Sequence, residues 1–328
     1  MNGEIPLFIR NDNLLFKSNF MSSSTKGLLF ILISGFCWGI SGTIAQFLFT
    51  QNIQVMQVVQ TRATFAFVIL AVSLFIFKRK SLTFKKEKSL GWILAGIIGV
   101  AGANYTYYST IKLSSVGTAI LIQYTAPALV MIYSVLRKEE TVTGLKILAL
   151  AISLIGCFFA IGTGTDALFE AGWLAVVVGF SSALCYASMA IIGRYFSKDK
   201  NPDLLQNLVF TLMFASIFWC FFDPPTNWGN WNLTLSEWFS LVAFSIVSVL
   251  LPYIFFFLGL KYLSSSTVMI IQTFEPVSAI ITAWIFLGES MGGFQLVGTS
   301  LVIGAIVMLA LSSNTLTTKK HEVNAENH

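Results

Sequence analysis

From residue 27 onward the chain alternates long unbroken apolar runs with short polar connections. Runs such as Leu145 to Ile161 are apolar on every face, without the stripe of a surface helix or the alternation of a half-buried strand, so each predicts a helix with apolar surroundings on all sides. Their lengths, roughly 20 residues, match the hydrocarbon thickness of a bilayer. Ten helices are predicted, over 28–50, 55–77, 90–111, 115–136, 143–162, 171–194, 204–222, 237–260, 264–287 and 292–312. A transmembrane barrel requires alternating segments of about ten residues, which these runs are not. The predicted fold class is an all-α integral membrane protein of ten transmembrane helices, with the lipid bilayer as its first partner.

Composition removes the soluble alternatives. Of the 328 residues 55% are hydrophobic and 11% charged, with a mean hydropathy of +0.77, whereas soluble domains carry about 25% charged residues. The net charge of +5 is spread over connections and calls for no nucleic acid. Cys37, Cys157, Cys185 and Cys220 all fall in apolar runs without CxxC spacing, and His321 and His328 lie near the C-terminus. No cofactor, metal site or disulfide framework is expected from that pattern. Residues 1–26 read as a flexible cytoplasmic leader, with Met21 an alternative start, and residues 313–328 as a cytoplasmic tail. Monomer and homodimer both remain open.

Charge placement predicts orientation. With the N-terminus inside, seventeen of the twenty Lys and Arg residues fall on cytoplasmic segments, including the cluster from Lys78 to Lys88. Of the others, Arg62 and Lys146 lie in helices and Lys112 on the opposite side. Such asymmetry places both termini in the cytoplasm. The opposite loops are acidic or aromatic, with Asp166, Glu170, Asp223 and the interface-seeking Trp228, Trp231 and Trp238.

A shift of 149 residues superimposes the chain on itself. Lys112 meets Lys261, Ser115 meets Ser264, Thr118 meets Thr267, Gln123 meets Gln272, Pro127 meets Pro276, Glu140 meets Glu289 and Gly144 meets Gly293. At 148, Ser34 meets Ser182, Cys37 meets Cys185, and Trp38 stands against Tyr186. The chain divides into two five-helix repeats, 27–163 and 164–312. Because five is odd, the halves enter the membrane from opposite sides, an inverted repeat that can open one central site to either face.

Trp38-Gly39-Ile40-Ser41-Gly42, Arg62, Gln123-Tyr124-Thr125-Ala126-Pro127 with the later Glu139-Glu140, and Phe274-Glu275-Pro276 with Leu287-Gly288-Glu289 together resemble the EamA-type branch of the drug/metabolite transporter superfamily. The resemblance runs from Gly27 to Ser312. It implies a secondary transporter of small organic solutes, often an exporter of amino acids, related metabolites or toxic compounds, in a prokaryotic cytoplasmic membrane. It does not imply which solute.

Several residues are candidates for the solute site, each with a structural alternative. Glu275 sits mid-helix, where an ionised carboxylate costs at least about 2.5–3.5 kcal/mol; it couples a proton, contacts an amino group on the solute, or bonds backbone freed by Pro276. The first repeat has Ala126 at the matching position. Arg62, two turns from its helix end, snorkels, balances Glu275 or holds a solute carboxylate. Both in one cavity would suit a zwitterion. Pro127 and Pro276 break matching helices, which points to a central site, and Gln123 and Gln272 one turn earlier line it or join helices. Asn104, Tyr105, Tyr107, Tyr108 and Tyr253, with Trp38, Tyr124 and Tyr186, form either a pocket wall or packing. Trp38 stands beside Gly35, Gly39 and Gly42, which allow close approach of backbone or solute. Glu140 and Glu289 read as caps of the helices that follow them.

The leading function is secondary transport by alternating access. A multidrug or cation efflux carrier is the first alternative. A membrane enzyme lacks support from any GxSxG, HExxH or P-loop motif, and no repeated filter sequence suggests a channel; a membrane sensor is the remaining class.

Overall fold

The computed structural model describes residues 22–51, 53–114, 116–161, 172–199, 202–288 and 291–326. The expected leader up to Met21, the loop with Asp166 and Glu170, and Ser115, Lys200 and Glu289 lie outside the described residues. Among the described residues ten transmembrane elements follow in order: α1 (Ser23–Thr50), α2 (Val55–Phe77), α3 (Lys86–Leu113), α4 (Val116–Gln123 and Ala126–Leu136), α5 (Gly144–Ile161), α6 (Trp173–Ser197), α7 (Leu204–Cys220), α8 (Leu235–Tyr262), α9 (Ser265–Gln272 and Phe274–Leu287) and α10 (Gly293–Glu326). Nine of these are long and apolar enough to cross a bilayer, and α7 makes a tenth with the bent 3-10 turn Pro225–Trp231 that follows it. The ends agree with the sequence pattern to within a few residues, except that α10 runs on through the polar segment read as a tail.

Local chemistry sets the ends. Thr234 and Glu237 form a reciprocal capping box at the start of α8. Asp203 accepts from Gln206 N at 3.2 Å to start α7, and also holds Lys78 at 3.2 Å and Ser81 Oγ at 2.6 Å, tying the end of α2 to α7. Burial alone would raise the Asp203 carboxyl, but these donors outweigh it and hold the group below the usual carboxylate range. At its far end α9 stops on Gly288, whose φ of 69° is left-handed.

Both fourth helices are broken where their prolines require it. Pro127 and Pro276 have no N–H for the carbonyls of Gln123 and Gln272, and the chain tightens just before them: Thr125 N bonds Ile122 O at 3.1 Å, and Thr273 N bonds Ile270 O at 3.2 Å. The third helices share a feature that the apolar pattern does not announce. A π-helical stretch occupies Leu94–Gly102 in α3 and Ile246–Leu250 in α8, and the 149-residue shift carries 97–101 onto the second.

The helices pack crosswise. α1 lies against α8 and α9, and its counterpart α6 lies against α3 and α4; likewise α2 packs on α8 and α7 on α3. α5 pairs with α10, and α2 with α7. The first two helices of each half therefore dock on later helices of the other half. Small residues permit the closest crossings: a Cβ on Gly39 would collide with Ser278 Oγ and approach Ala279 N and Glu275 O to 2.7 Å. Large apolar side chains on the perimeter, among them Val72, Phe75, Leu148, Ile155 and Leu184, are exposed, a surface suited to lipid rather than water.

Candidate functional site

A cavity of about 160 Å³ lies where the two halves meet. From α1 come Trp38, Ser41, Gly42 and Ala45; from α2, Arg62; from α3, Ala103, Asn104, Tyr107 and Tyr108; from α4, Gln123. The second half adds Tyr186 of α6, Phe244, Ser248 and Tyr253 of α8, and Glu275 of α9. Seven of the ten solute-site residues expected from sequence thus share one wall system: Trp38, Arg62, Asn104, Gln123, Tyr186, Tyr253 and Glu275.

The two charged groups face the same space without forming an ion pair. Arg62 donates through Nη2 to Asn104 Oδ1, and Asn104 Nδ2 in turn donates to Val100 O at 2.6 Å, inside the π stretch of α3. Asn104 is therefore held by irregular backbone and presents its oxygen to the guanidinium. The alternative in which Arg62 neutralises Glu275 by direct pairing is not the arrangement found. Each charge keeps unused hydrogen-bonding capacity toward the cavity.

Trp38 is fixed by the corresponding stretch of α8. Pro252 has no N–H to give the carbonyl four residues earlier, that of Ser248, and the Trp38 indole takes that carbonyl at 3.1 Å. The Trp38 ring lies edge-on to Tyr253 (centroids 5.2 Å) and Tyr186 (6.2 Å), the preferred geometry of aromatic pairs. The neighbouring glycines divide their roles. Gly39 serves the α1–α9 crossing, while Gly42 has open space where a Cβ would be, on the cavity wall.

Three expected residues are placed elsewhere. Tyr105 points away, 43% exposed and stacked on Phe222 with centroids 5.7 Å apart. Tyr124 and Gln272 are buried behind the wall, next to the Glu275 carboxyl. Neither the Tyr124 hydroxyl nor either Gln272 amide atom reaches hydrogen-bond geometry with any group. The helix breaks associated with Pro127 and Pro276 flank this cluster: Gln123, at the end of the first segment of α4, reaches the cavity, and Glu275, immediately before Pro276, does as well.

Sequence reasoning passed over Ser41, Ala45, Ala103, Phe244 and Ser248. Small residues on apolar helices resemble packing residues, and only Pro252, four residues after Ser248, signalled a free carbonyl. Glu140 is also reassigned. Its carboxylate accepts from Ser266 N at 3.2 Å, Ser266 Oγ at 2.6 Å and Lys146 Nζ at 2.8 Å, so it caps the start of α9 in the other half rather than α5. Lys146 Nζ also donates to Ser264 Oγ at 3.2 Å. This polar knot joins the α4–α5 connection to the α8–α9 connection.

Comparison with known proteins agrees with this architecture. A profile of the EamA-like transporter family matches residues 25–162 and again 173–311. The chain is 23% identical over 301 residues to the uncharacterized inner membrane transporter YicL of Salmonella typhimurium, covering 89% of this chain and 98% of that one. It is 26% identical over 247 residues to the threonine/homoserine exporter RhtA of Escherichia coli, covering 74% and 77%. A solved crystal structure superimposes with a TM-score of 0.72 at 15% identity, over 89% of this chain and 99% of that one, which shows a shared fold.

Proposed function

Because the chain belongs to the EamA-like transporter family, and is a multi-pass membrane transporter rather than an enzyme, we propose that it is a secondary active carrier of a small zwitterionic metabolite, an amino acid or close relative. The observation that carries this reading is the pair Arg62 and Glu275 on the walls of one cavity built by both halves. A carboxylate on the solute engages Arg62, whose planar fork suits it; an ammonium engages Glu275, with Trp38, Tyr186 and Tyr253 offering aromatic faces to its carbon skeleton. At about 160 Å³ the cavity is smaller than the roughly 300–1,000 Å³ that takes drug-sized ligands. Size therefore favours a small metabolite over the multidrug alternative. The similarity to a threonine/homoserine exporter supports the same class and outward transport.

The membrane is the cytoplasmic membrane of a prokaryotic cell, with both termini inside, as the distribution of Lys and Arg argues. In that orientation the cavity, lined by the later part of α1 and α3 and the earlier part of α8, belongs to the outer half of the bundle. Alternating access follows from exchange of conformation between the two repeats, and Glu275 carries the coupling proton. The test is thermal stability of the purified protein in detergent against amino acids, amines, carboxylates, sugars and cationic drugs, since a ligand of the folded state raises its melting temperature. Stabilisation by small zwitterions alone is the expected result. Stabilisation by hydrophobic cations alone would replace this reading with drug efflux.

A further inference from the structure

The two halves carry equivalent polar contacts, and one of the two is incomplete. In the first, Gln123 Nε2 donates to Ser182 Oγ at 2.8 Å and Ser182 Oγ donates to Ala103 O at 3.3 Å, linking α4, α6 and α3. The repeat shifts carry Gln123 to Gln272, Ser182 to Ser34 and Ala103 to Pro252. In this second set Ser34 Oγ donates to Pro252 O at 3.0 Å, joining α1 to α8, but Gln272 does not complete the chain. Gln272 is fully buried and neither amide atom is bonded. Its Nε2 nevertheless rests against α1 at Gly35, the residue after Ser34, 3.4 Å from where a Cβ on Gly35 would stand.

A buried amide without a partner is rare in a native structure and costly to keep. Here the missing partner is identified by the repeat itself, and the amide already lies against the helix that carries it. Its present neighbour is instead the Glu275 carboxyl. We propose that Gln123–Ser182 and Gln272–Ser34 are reciprocal positioning contacts for the transport cycle, each closed in one of its two states. When the cavity changes face, Gln272 moves from the Glu275 side to Ser34, and Gln123 releases Ser182. One contact forms as its counterpart breaks, so the two states stay close in energy, as a carrier requires. A cationic group of the solute that engages Glu275 turns the carboxylate away from Gln272 and opens room for the amide to cross, which links occupancy to the exchange.

This inference rests on the alternating-access reading. Its test compares hydrogen–deuterium exchange of the purified protein in detergent for wild type, Ser182→Ala, Ser34→Ala and Gln272→Leu. Ser182→Ala removes two bonds from the present state and one from the other, and Ser34→Ala does the reverse. Each is expected to shift the balance roughly five- to tenfold, in opposite directions. In Ser182→Ala exchange falls over 103–113 and 235–248 at the cavity end and rises over 251–272; in Ser34→Ala and Gln272→Leu it falls over 251–272. The double Ser variant returns toward wild type. Shifts of the same sign in both single variants, no shift in either, or Gln272→Leu behaving like Ser182→Ala overturns the proposal. L-threonine counterflow by the same samples separates the two claims: opposite shifts without counterflow condemn the carrier reading alone, and counterflow without opposite shifts condemns the switch alone.

Discussion

Replacing Glu140 by Gln removes the charge at the centre of the knot between the two halves while keeping the side chain's shape. Burial pushes the Glu140 carboxyl up, but hydrogen bonds from Lys146, Ser264 and Ser266, together with the Lys146 charge, outweigh it and hold the group at about 2, against an ordinary 4.5. At about 1.4 kcal/mol per unit the displacement amounts to at most about 3 kcal/mol. Solvent screening of a pair at the membrane surface reduces this to about 1–2 kcal/mol, or about 2–4 °C in melting temperature. Because the folded value lies below the unfolded one, the stabilisation is fully present above about pH 4.5 and is lost as pH falls toward 2. Melting curves of wild type and Glu140→Gln in detergent at pH 7.5, 5.5, 4 and 3 check this. The gap should be constant from 7.5 to 5.5 and close progressively below about 4. A gap that is absent at pH 7.5, or unchanged at pH 3, would refute the reasoning.

Three other outcomes are expected. Gly39→Ala should destabilise the protein severely, because its Cβ collides with α9, whereas Gly42→Ala should fold normally and weaken solute binding by filling open cavity space; comparable melting temperatures for both would contradict the packing described. Trp38→Phe loses the bond to Ser248 O and should cost about 1–2 kcal/mol, read as a lower melting temperature. Glu275→Gln should fold yet lose the dependence of transport on an imposed pH gradient; flux that still follows the gradient would remove Glu275 from coupling.

Helix number and the two broken helices were legible because bilayer thickness and proline chemistry act locally, at Pro127 and Pro276 as elsewhere. The cavity was legible in its charged members, since Arg62 and Glu275 have few acceptable surroundings inside a bilayer. Tyr105 shows where composition alone misleads. Asn104, Tyr107 and Tyr108 stand three and four residues apart on one face of the regular helical part of α3, whereas Tyr105, one residue after Asn104, is turned about 100° from that face. Helical spacing therefore separates Tyr105 from the wall that the other three share. Glu140 misled for another reason: its true partner Ser266 lies 126 residues away, and local capping rules see only neighbours. Even so, the internal repeat had already paired the serines and glutamines of the cross-half contacts, lacking only the knowledge that α1 and α6 cross over.

The central claim, carriage of a small zwitterion through one cavity held between Arg62 and Glu275, is tested most directly by counterflow. Proteoliposomes loaded with unlabelled L-threonine or L-homoserine would be diluted into a trace of labelled solute, in parallel with Arg62→Ala and Glu275→Gln. The account predicts transient accumulation in wild type, strong loss in Arg62→Ala, and no accumulation when the loaded solute lacks either its carboxylate or its ammonium group. Equal counterflow of amines or carboxylates lacking the second charge, or undiminished counterflow in Arg62→Ala, would contradict it.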